Sequence, residues 1–444
     1  DTIAKGHPTA STRYVDGNAY ATAITGYDAA YRPLGSTVTV PASEGGLAGS
    51  YTTSLTYNAA GDVSRMAFPK AGDLPTETVL YGYDPTGDPS SLVGLGSGTY
   101  VNGTTRSSYG EALQYAMGRG TFIWETFGYE EGTRRLNRWG LQRQGVTGTD
   151  LDVLYTHDAA GNITAMTDSP TASGTQTETQ CFRYDDQRRL TEAWTPTGSC
   201  TAAPGSALLG GPAPYWHTFT YDAAGNRQQE VIHTSAGDTT RSYRYGATDG
   251  SQADTLRAVT QTGTAGAKQE SYTYDTAGNT LTRTREGRSQ DLAWDVEGRL
   301  ESVTEDSQKT SYVYNAEGER LIRRDPTGTT LYLNGTEIRL AKAGGAVTGT
   351  RYYTFDERTV AARTSRGVSF FTSDQQGTAQ VQVDATSMAV TRRRLTPFGQ
   401  ERGTAAQGWV GERGFVNGTR DDSTGLVHLG AREYDPLIGR FISV

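Results

Sequence analysis

Phe219-Thr220-Tyr221 and Tyr272-Thr273-Tyr274 each place two aromatic residues two positions apart, which puts both on one face of a β-strand. Each triplet runs directly into Asp-x-x-Gly-Asn, as Asp222-Ala223-Ala224-Gly225-Asn226 and Asp275-Thr276-Ala277-Gly278-Asn279. An Asp at the first turn position can accept a bond from the backbone two residues on, and Gly and Asn tolerate positive φ, so the pattern predicts a hairpin with a bulge. Looser copies run through the chain, at Tyr27-Asp28, Tyr57-Asn58, Tyr83-Asp84, Tyr129-Glu130, His157-Asp158, Tyr184-Asp185, Trp294-Asp295 and Tyr314-Asn315. Tyr274, Trp294 and Tyr314 stand twenty residues apart, while Tyr83, Tyr109, Tyr129 and Tyr155 step by 26, 20 and 26, as in a repeat array. One hairpin cannot bury both faces, so neighbours must pair edge to edge into a long antiparallel sheet that curls. The expected fold is all-β. The stretch from Tyr100 to Gly145 fits least well, since Glu111 to Met117 also suits a short helix, but it reads as a degenerate repeat. Segments rich in Gly, Thr, Ser and Ala at Asp168 to Thr177, Thr195 to Pro214 and Thr262 to Lys268 read as surface insertions.

Composition agrees with this pattern. Among 444 residues, 55 are Gly and 26 Tyr but only 4 are Met, a balance suited to strands and tight turns. The formal net charge of −8 argues against general affinity for nucleic acid or an anionic membrane. No run approaches the ~18 apolar residues of a membrane helix. The chain starts Asp-Thr-Ile-Ala-Lys, with neither an initiator Met nor a signal peptide, and is expected to be a processed piece.

Candidate chemistry is sparse. Cys181 and Cys200 bracket a Tyr-Asp motif and suit a hairpin-spanning disulfide in an oxidising compartment, with two buried free thiols as the alternative. Two thiols without paired histidines leave a zinc site short of ligands, and each Asp-x-x-Gly-Asn offers too few oxygens for Ca²⁺. His7, His157, His217, His233 and His428 lack ligand spacing, and neither a phosphate loop nor a nucleophile elbow occurs. No cofactor is expected. The repeated tyrosines suit packing between strands or, turned outward, binding of sugar rings.

The repeats, together with Phe371-Thr372-Ser373-Asp374-Gln375-Gln376-Gly377-Thr378, Leu395-Thr396-Pro397-Phe398-Gly399 and the closing Gly430-Ala431-Arg432-Glu433-Tyr434-Asp435-Pro436 and Gly439-Arg440-Phe441, resemble the RHS/YD-repeat family and its associated core domain. That family includes bacterial polymorphic toxins, the C subunits of Tc toxins and, more distantly, the teneurin shell. The resemblance implies a sheet wound spirally into a hollow shell over residues 1–369, closed at one end by a core segment over 370–444. It implies a secreted or cell-surface protein whose shell sequesters its own C-terminal toxin domain, with part of the enclosure supplied by another segment or chain. In many members the core cuts the toxin free as an aspartyl protease. Aligned on the family motif, Arg432 is the basic residue of that site and the catalytic aspartates are expected beyond Val444, so that this chain would not cut itself. Asp421, Asp422 and Asp435 are the carboxylates of an alternative dyad, and otherwise serve turns and salt bridges beside Arg420, Arg432 or Arg440. The competing function is a cell-wall carbohydrate-binding or adhesion module.

Overall fold

The structure, a computed structural model, describes residues 4–443; Asp1 to Ile3 and Val444, and the expectations drawn on the two chain ends, lie outside the described residues. Among the described residues, thirty-two strands form one sheet. Strands pair antiparallel in chain order, from Ala10–Val15 against Asn18–Ile24 to Ala379–Asp384 against Val390–Arg392. Among the described residues, no helix is long and apolar enough to cross a membrane. The chain divides into two compact units, one of Asp1–Trp124, Gln308–Arg392 and Gly408–Thr424, the other of Glu125–Ser307, Arg393–Gln407 and Gly425–Val444. The first centres on a cluster that includes Leu47, Leu74, Ile322, Leu331 and Ile338, all essentially inaccessible. In the second, Tyr243, Leu256, Val259 and Tyr272 pack with Ile438.

The Tyr-Asp couplet explains the period. The first turn residue, Asp or Asn, closes the reversal: Asp222 Oδ1 accepts the Asn226 N–H at 2.8 Å while Asp222 N–H donates to Asn226 O at 2.9 Å. Gly225 takes the left-handed conformation at φ +92° that an L side chain resists. Asn226 does not share it, contrary to the expectation for Asn; its amide instead donates to Asp222 Oδ2 at 3.2 Å. At Asp158, bonds from the Asn162 side chain, with backbone N–H groups added, hold the carboxyl below its ordinary pKa.

The aromatic residue works in the other direction along the chain. Tyr57, Tyr83, Tyr184, Tyr221, Tyr245 and Tyr274 each donate a hydroxyl to the carbonyl of the first residue after the preceding turn, at Pro33, Val63, Ile163, Leu190, Arg227 and Leu256, over 2.7–2.9 Å. Trp294 does the same through its indole N–H to Thr280 O at 2.7 Å. The register slips by one at the motif aromatic, between Thr220 and Tyr221 and between Thr273 and Tyr274, so a bulge adds twist at every repeat.

Two details differ from the sequence pattern, and a third settles an ambiguity in it. Tyr109 is not an anchor: it is 74% exposed within a turn, and Arg106 takes the anchoring place by donating to Pro89 O at 3.0 Å. Glu111 to Met117 contributes to a strand, Ala112–Arg119, because Tyr115 and Met117 bury on one face. Thr262 to Lys268 is a tight turn between the strands Leu256–Gly263 and Lys268–Tyr274, made by Gly263 and Gly266 at positive φ, rather than an insertion.

Cys181 is fully buried on the strand Glu178–Tyr184 and forms a disulfide with Cys200, Cα to Cα 5.5 Å, in the long connection after the strand Leu190–Trp194. The bond closes a loop of nineteen residues, so opening it returns conformational entropy to the unfolded chain. Replacing both cysteines by Ser should lower the free energy of unfolding by about 3 kcal/mol. Denaturant titration with and without dithiothreitol checks this: reductant should shift the native chain by a similar amount and leave the variant unmoved.

Candidate functional site

The terminal segment from Arg393 onward is the candidate site, and it falls into three stretches, Arg393–Gln407 and Gly425–Val444 in the second unit and Gly408–Thr424 in the first. In the second unit, Arg402 forks onto Glu178 with both contacts at 2.8 Å and donates to Ala213 O at 2.6 Å. Phe398 meets Phe219 edge to face at 5.2 Å and lies under the Arg227 guanidinium at 4.1 Å. The Gly439 backbone approaches so closely that a Cβ there would stand 2.7 Å from Arg227 Nη2, and its φ of +64° also favours glycine.

The rest of that segment lies on the best-preserved repeats. Arg440 donates to Asn226 Oδ1 at 3.0 Å and to Asp254 O at 2.8 Å. Thr280, next after Asn279, gives both its N–H (3.0 Å) and its hydroxyl (2.7 Å) to Ile442 O. Arg241 donates to Leu437 O at 2.9 Å. Beneath lies Glu230, where burial alone would raise the carboxyl pKa, but a bond to His217 and the charges of Arg227 and Arg241 lower it to about 2.

In the first unit, Trp409 and Val410 pack on Tyr352, Ala362, Phe371 and Ala379. Glu412 accepts from Arg323 Nη1 and Tyr332 Oη, each at 2.9 Å, and its N–H donates to Tyr352 Oη at 2.7 Å. Val416 N–H donates to Thr378 Oγ1 at 2.9 Å, and Thr359 donates to Asn417 Oδ1 at 3.0 Å.

Each of the carboxylates singled out from sequence has its own partners within its unit. Asp435 is fully buried and accepts from Arg283 at 2.8 Å and Arg285 at 2.9 Å, not from Arg432 or Arg440. Burial lowers the Arg283 pKa, with the neighbouring Arg285 adding to the effect and Asp435 opposing it. Asp421 is equally buried in the other unit, where it accepts 2.6 Å bonds from Tyr312 and Ser423. Asp422 is exposed and pairs with Arg420 at 2.7 Å. Arg432 is exposed on the strand Arg432–Asp435, its guanidinium 3.9 Å from the centre of the Phe441 ring. Arg283 and Arg285 were invisible to local reasoning, since they stand some 150 positions from Asp435. Among the described residues, no group of three or more His, Cys, Asp or Glu is placed to hold a metal.

The family model described as Teneurin YD-shell matches residues 214–444, just over half the chain. Toxin subunit YenC1 of Yersinia entomophaga is 24% identical over 444 residues, covering 88% of this chain and 43% of that protein. The nuclease WapA of Bacillus spizizenii is 25% identical over 236 residues, covering 51% of this chain and 9% of that one. This chain thus spans less than half the length of the curated relatives it matches. The crystal structure of TcdB2-TccC3 without its hypervariable C-terminal region has a TM-score of 0.75 at 19% identity, over 96% of this chain and 22% of that one. The Photorhabdus luminescens Tc holotoxin pore gives 0.76 at 18% identity, over 98% and 22%. At these identities the structural likeness speaks for the fold.

Removing the Asp435 charge should leave two buried guanidinium groups uncompensated. Asp435→Asn is expected to cost about 3–5 kcal/mol in denaturant unfolding, against less than about 0.5 kcal/mol for the exposed Asp422→Asn. Equal effects of the two substitutions would refute the assignment of Asp435 as a buried tie.

Proposed function

The chain belongs to the Teneurin YD-shell family, and on that premise we propose that it encloses and sequesters a C-terminal effector of a secreted bacterial toxin. At the coarser level it is a shell-type structural component related to Tc toxin subunits. The single observation that supports the finer reading is the docking of the terminal segment: Asp435, Leu437, Arg440 and Ile442 are fastened onto the repeat hairpins rather than presented as a separate reactive domain. A segment fixed in this way can hold whatever follows it close to the sheet. The proposal includes release by self-cleavage in the parent protein and association with other toxin components. Asp421 and Asp435 are engaged in buried structural contacts, so cleavage is assigned to carboxylates other than Asp421, Asp422 and Asp435. Among the tyrosines, Tyr14, Tyr31 and Tyr109 are the strongly exposed ones.

The test joins a reporter domain after residue 444 and follows limited proteolysis and reporter activity. The expected outcome is a reporter that resists a protease concentration sufficient to digest it when free, with protection lost in the Asp435→Asn fusion. A reporter digested at its free rate, with the repeats cut into hairpin-sized fragments, would contradict sequestration.

A further inference from the structure

The connection between the strands Leu190–Trp194 and Trp216–Tyr221 folds back on itself, and its two arms are bonded to each other. Thr197 N–H donates to Leu208 O at 2.8 Å and Gly210 N–H to Thr195 O at 2.9 Å. At the base, Thr195 N–H donates to Tyr215 O at 2.9 Å and Tyr215 N–H to Thr195 Oγ1 at 3.0 Å. The tip faces solvent, with Gly198, Ser199, Thr201, Ala202 and Ala203 all exposed. Cys200 stands in that tip, and its bond to the buried Cys181 fastens the tip to the strand Glu178–Tyr184.

That strand also carries Glu178, three residues before Cys181, and there the second arm meets the terminal segment. Gly211 lies against Glu178, where a Cβ would stand 3.1 Å from Glu178 Cγ. Ala213 O accepts Arg402 Nη1 at 2.6 Å, Glu178 accepts from both terminal nitrogens of the same guanidinium at 2.8 Å, and the Tyr215 ring centre lies 4.9 Å from it. A Cβ on Gly403 would come within 2.8 Å of the Ala213 Cβ. The socket for Arg402 therefore has one wall from the strand and one from the connection. The disulfide joins the two walls.

We propose that the Cys181–Cys200 bond is a redox-sensitive clasp: closed, it holds the connection where Ala213 receives Arg402, and opened by an external thiol, it frees the connection and with it Arg393–Gln407. The attacking thiolate reaches Cys200 Sγ, which is half-buried among exposed neighbours, whereas Cys181 is inaccessible. The sulfur–sulfur bond breaks, Cys181 Sγ leaves with the electron pair and takes a proton, and Cys200 is left in a mixed disulfide with the thiol. A second thiolate attacks the external sulfur of that mixed disulfide, and Cys200 Sγ leaves and takes a proton. Two thiols are thereby oxidised to one disulfide while the cystine is reduced to two cysteines. Because the arms are bonded to each other, the second arm follows the released tip. The Arg402–Glu178 pair is then opened to water, where such a pair holds far less strongly. The clasp does not depend on the sequestration reading.

Hydrogen exchange read by mass spectrometry on the folded full chain tests it, with and without dithiothreitol, while thiol titration reports whether the bond is open. Peptides from 195–215 and from 393–407 should lose protection by about tenfold beyond any change in peptides of the Asp275 hairpin. The Cys181→Ser, Cys200→Ser double variant should show the same loss without reductant and no further change with it. If the bond is open in the native chain and 393–407 changes no more than the Asp275 hairpin, the clasp is overturned whether or not the variant folds. A bond that stays closed in the folded chain at a dithiothreitol concentration that opens it in the denatured chain would overturn it as well.

Discussion

A single recurring coupling, the hydroxyl of a motif tyrosine to the carbonyl that follows the previous turn, fastens each strand to the return strand beside it. A turn sealed by its own Asp is a local object, and the backbone ladder joins one hairpin to the next, as between Leu190–Trp194 and Trp216–Tyr221. The tyrosine adds to that ladder at its end: Tyr221 to Leu190, Tyr245 to Arg227 and Tyr274 to Leu256 each tie a strand to the start of the neighbouring return strand before it. Each bond adds about 1 kcal/mol net, modest alone and repeated along the array. Tyr and Asp are adjacent because one faces backward along the chain and the other closes the turn ahead.

The terminal segment uses the features that the repeats leave open. Arg440 binds the side chain of the turn residue Asn226, and Ile442 receives Thr280, the first residue after the Asn279 turn. Asp435 supplies the charge that Arg283 and Arg285 need on their buried strand. In the first unit, Glu412 does the same for Arg323. Arg283, Arg285 and Arg323 thus take carboxylates from this segment, and breaking such a pair costs far more than breaking an exposed one.

The hairpins, their turns and the all-β class were legible because they rest on residues within a few positions of one another. The bulge at Tyr221 followed from the length of the Asp-x-x-Gly-Asn turn. Substitutions that preserve the bond but change the residue escaped detection, as where Arg106 replaces the aromatic and Tyr109 imitates it from an exposed turn. The site was less legible still. Asp421, Asp422 and Asp435 look alike in sequence, yet two are fully buried and one is exposed, a difference set by Tyr312, Arg283 and Arg285 from distant strands.

The coupling between repeats is tested most directly by Tyr221→Phe, which removes one hydroxyl and leaves the ring. Native-state hydrogen exchange should show faster opening in the strand Leu190–Trp194, whose first carbonyl loses its partner, as well as in the strand Trp216–Tyr221. Faster exchange confined to Trp216–Tyr221 and its return strand Arg227–Thr234, with Leu190–Trp194 unchanged, would contradict the account.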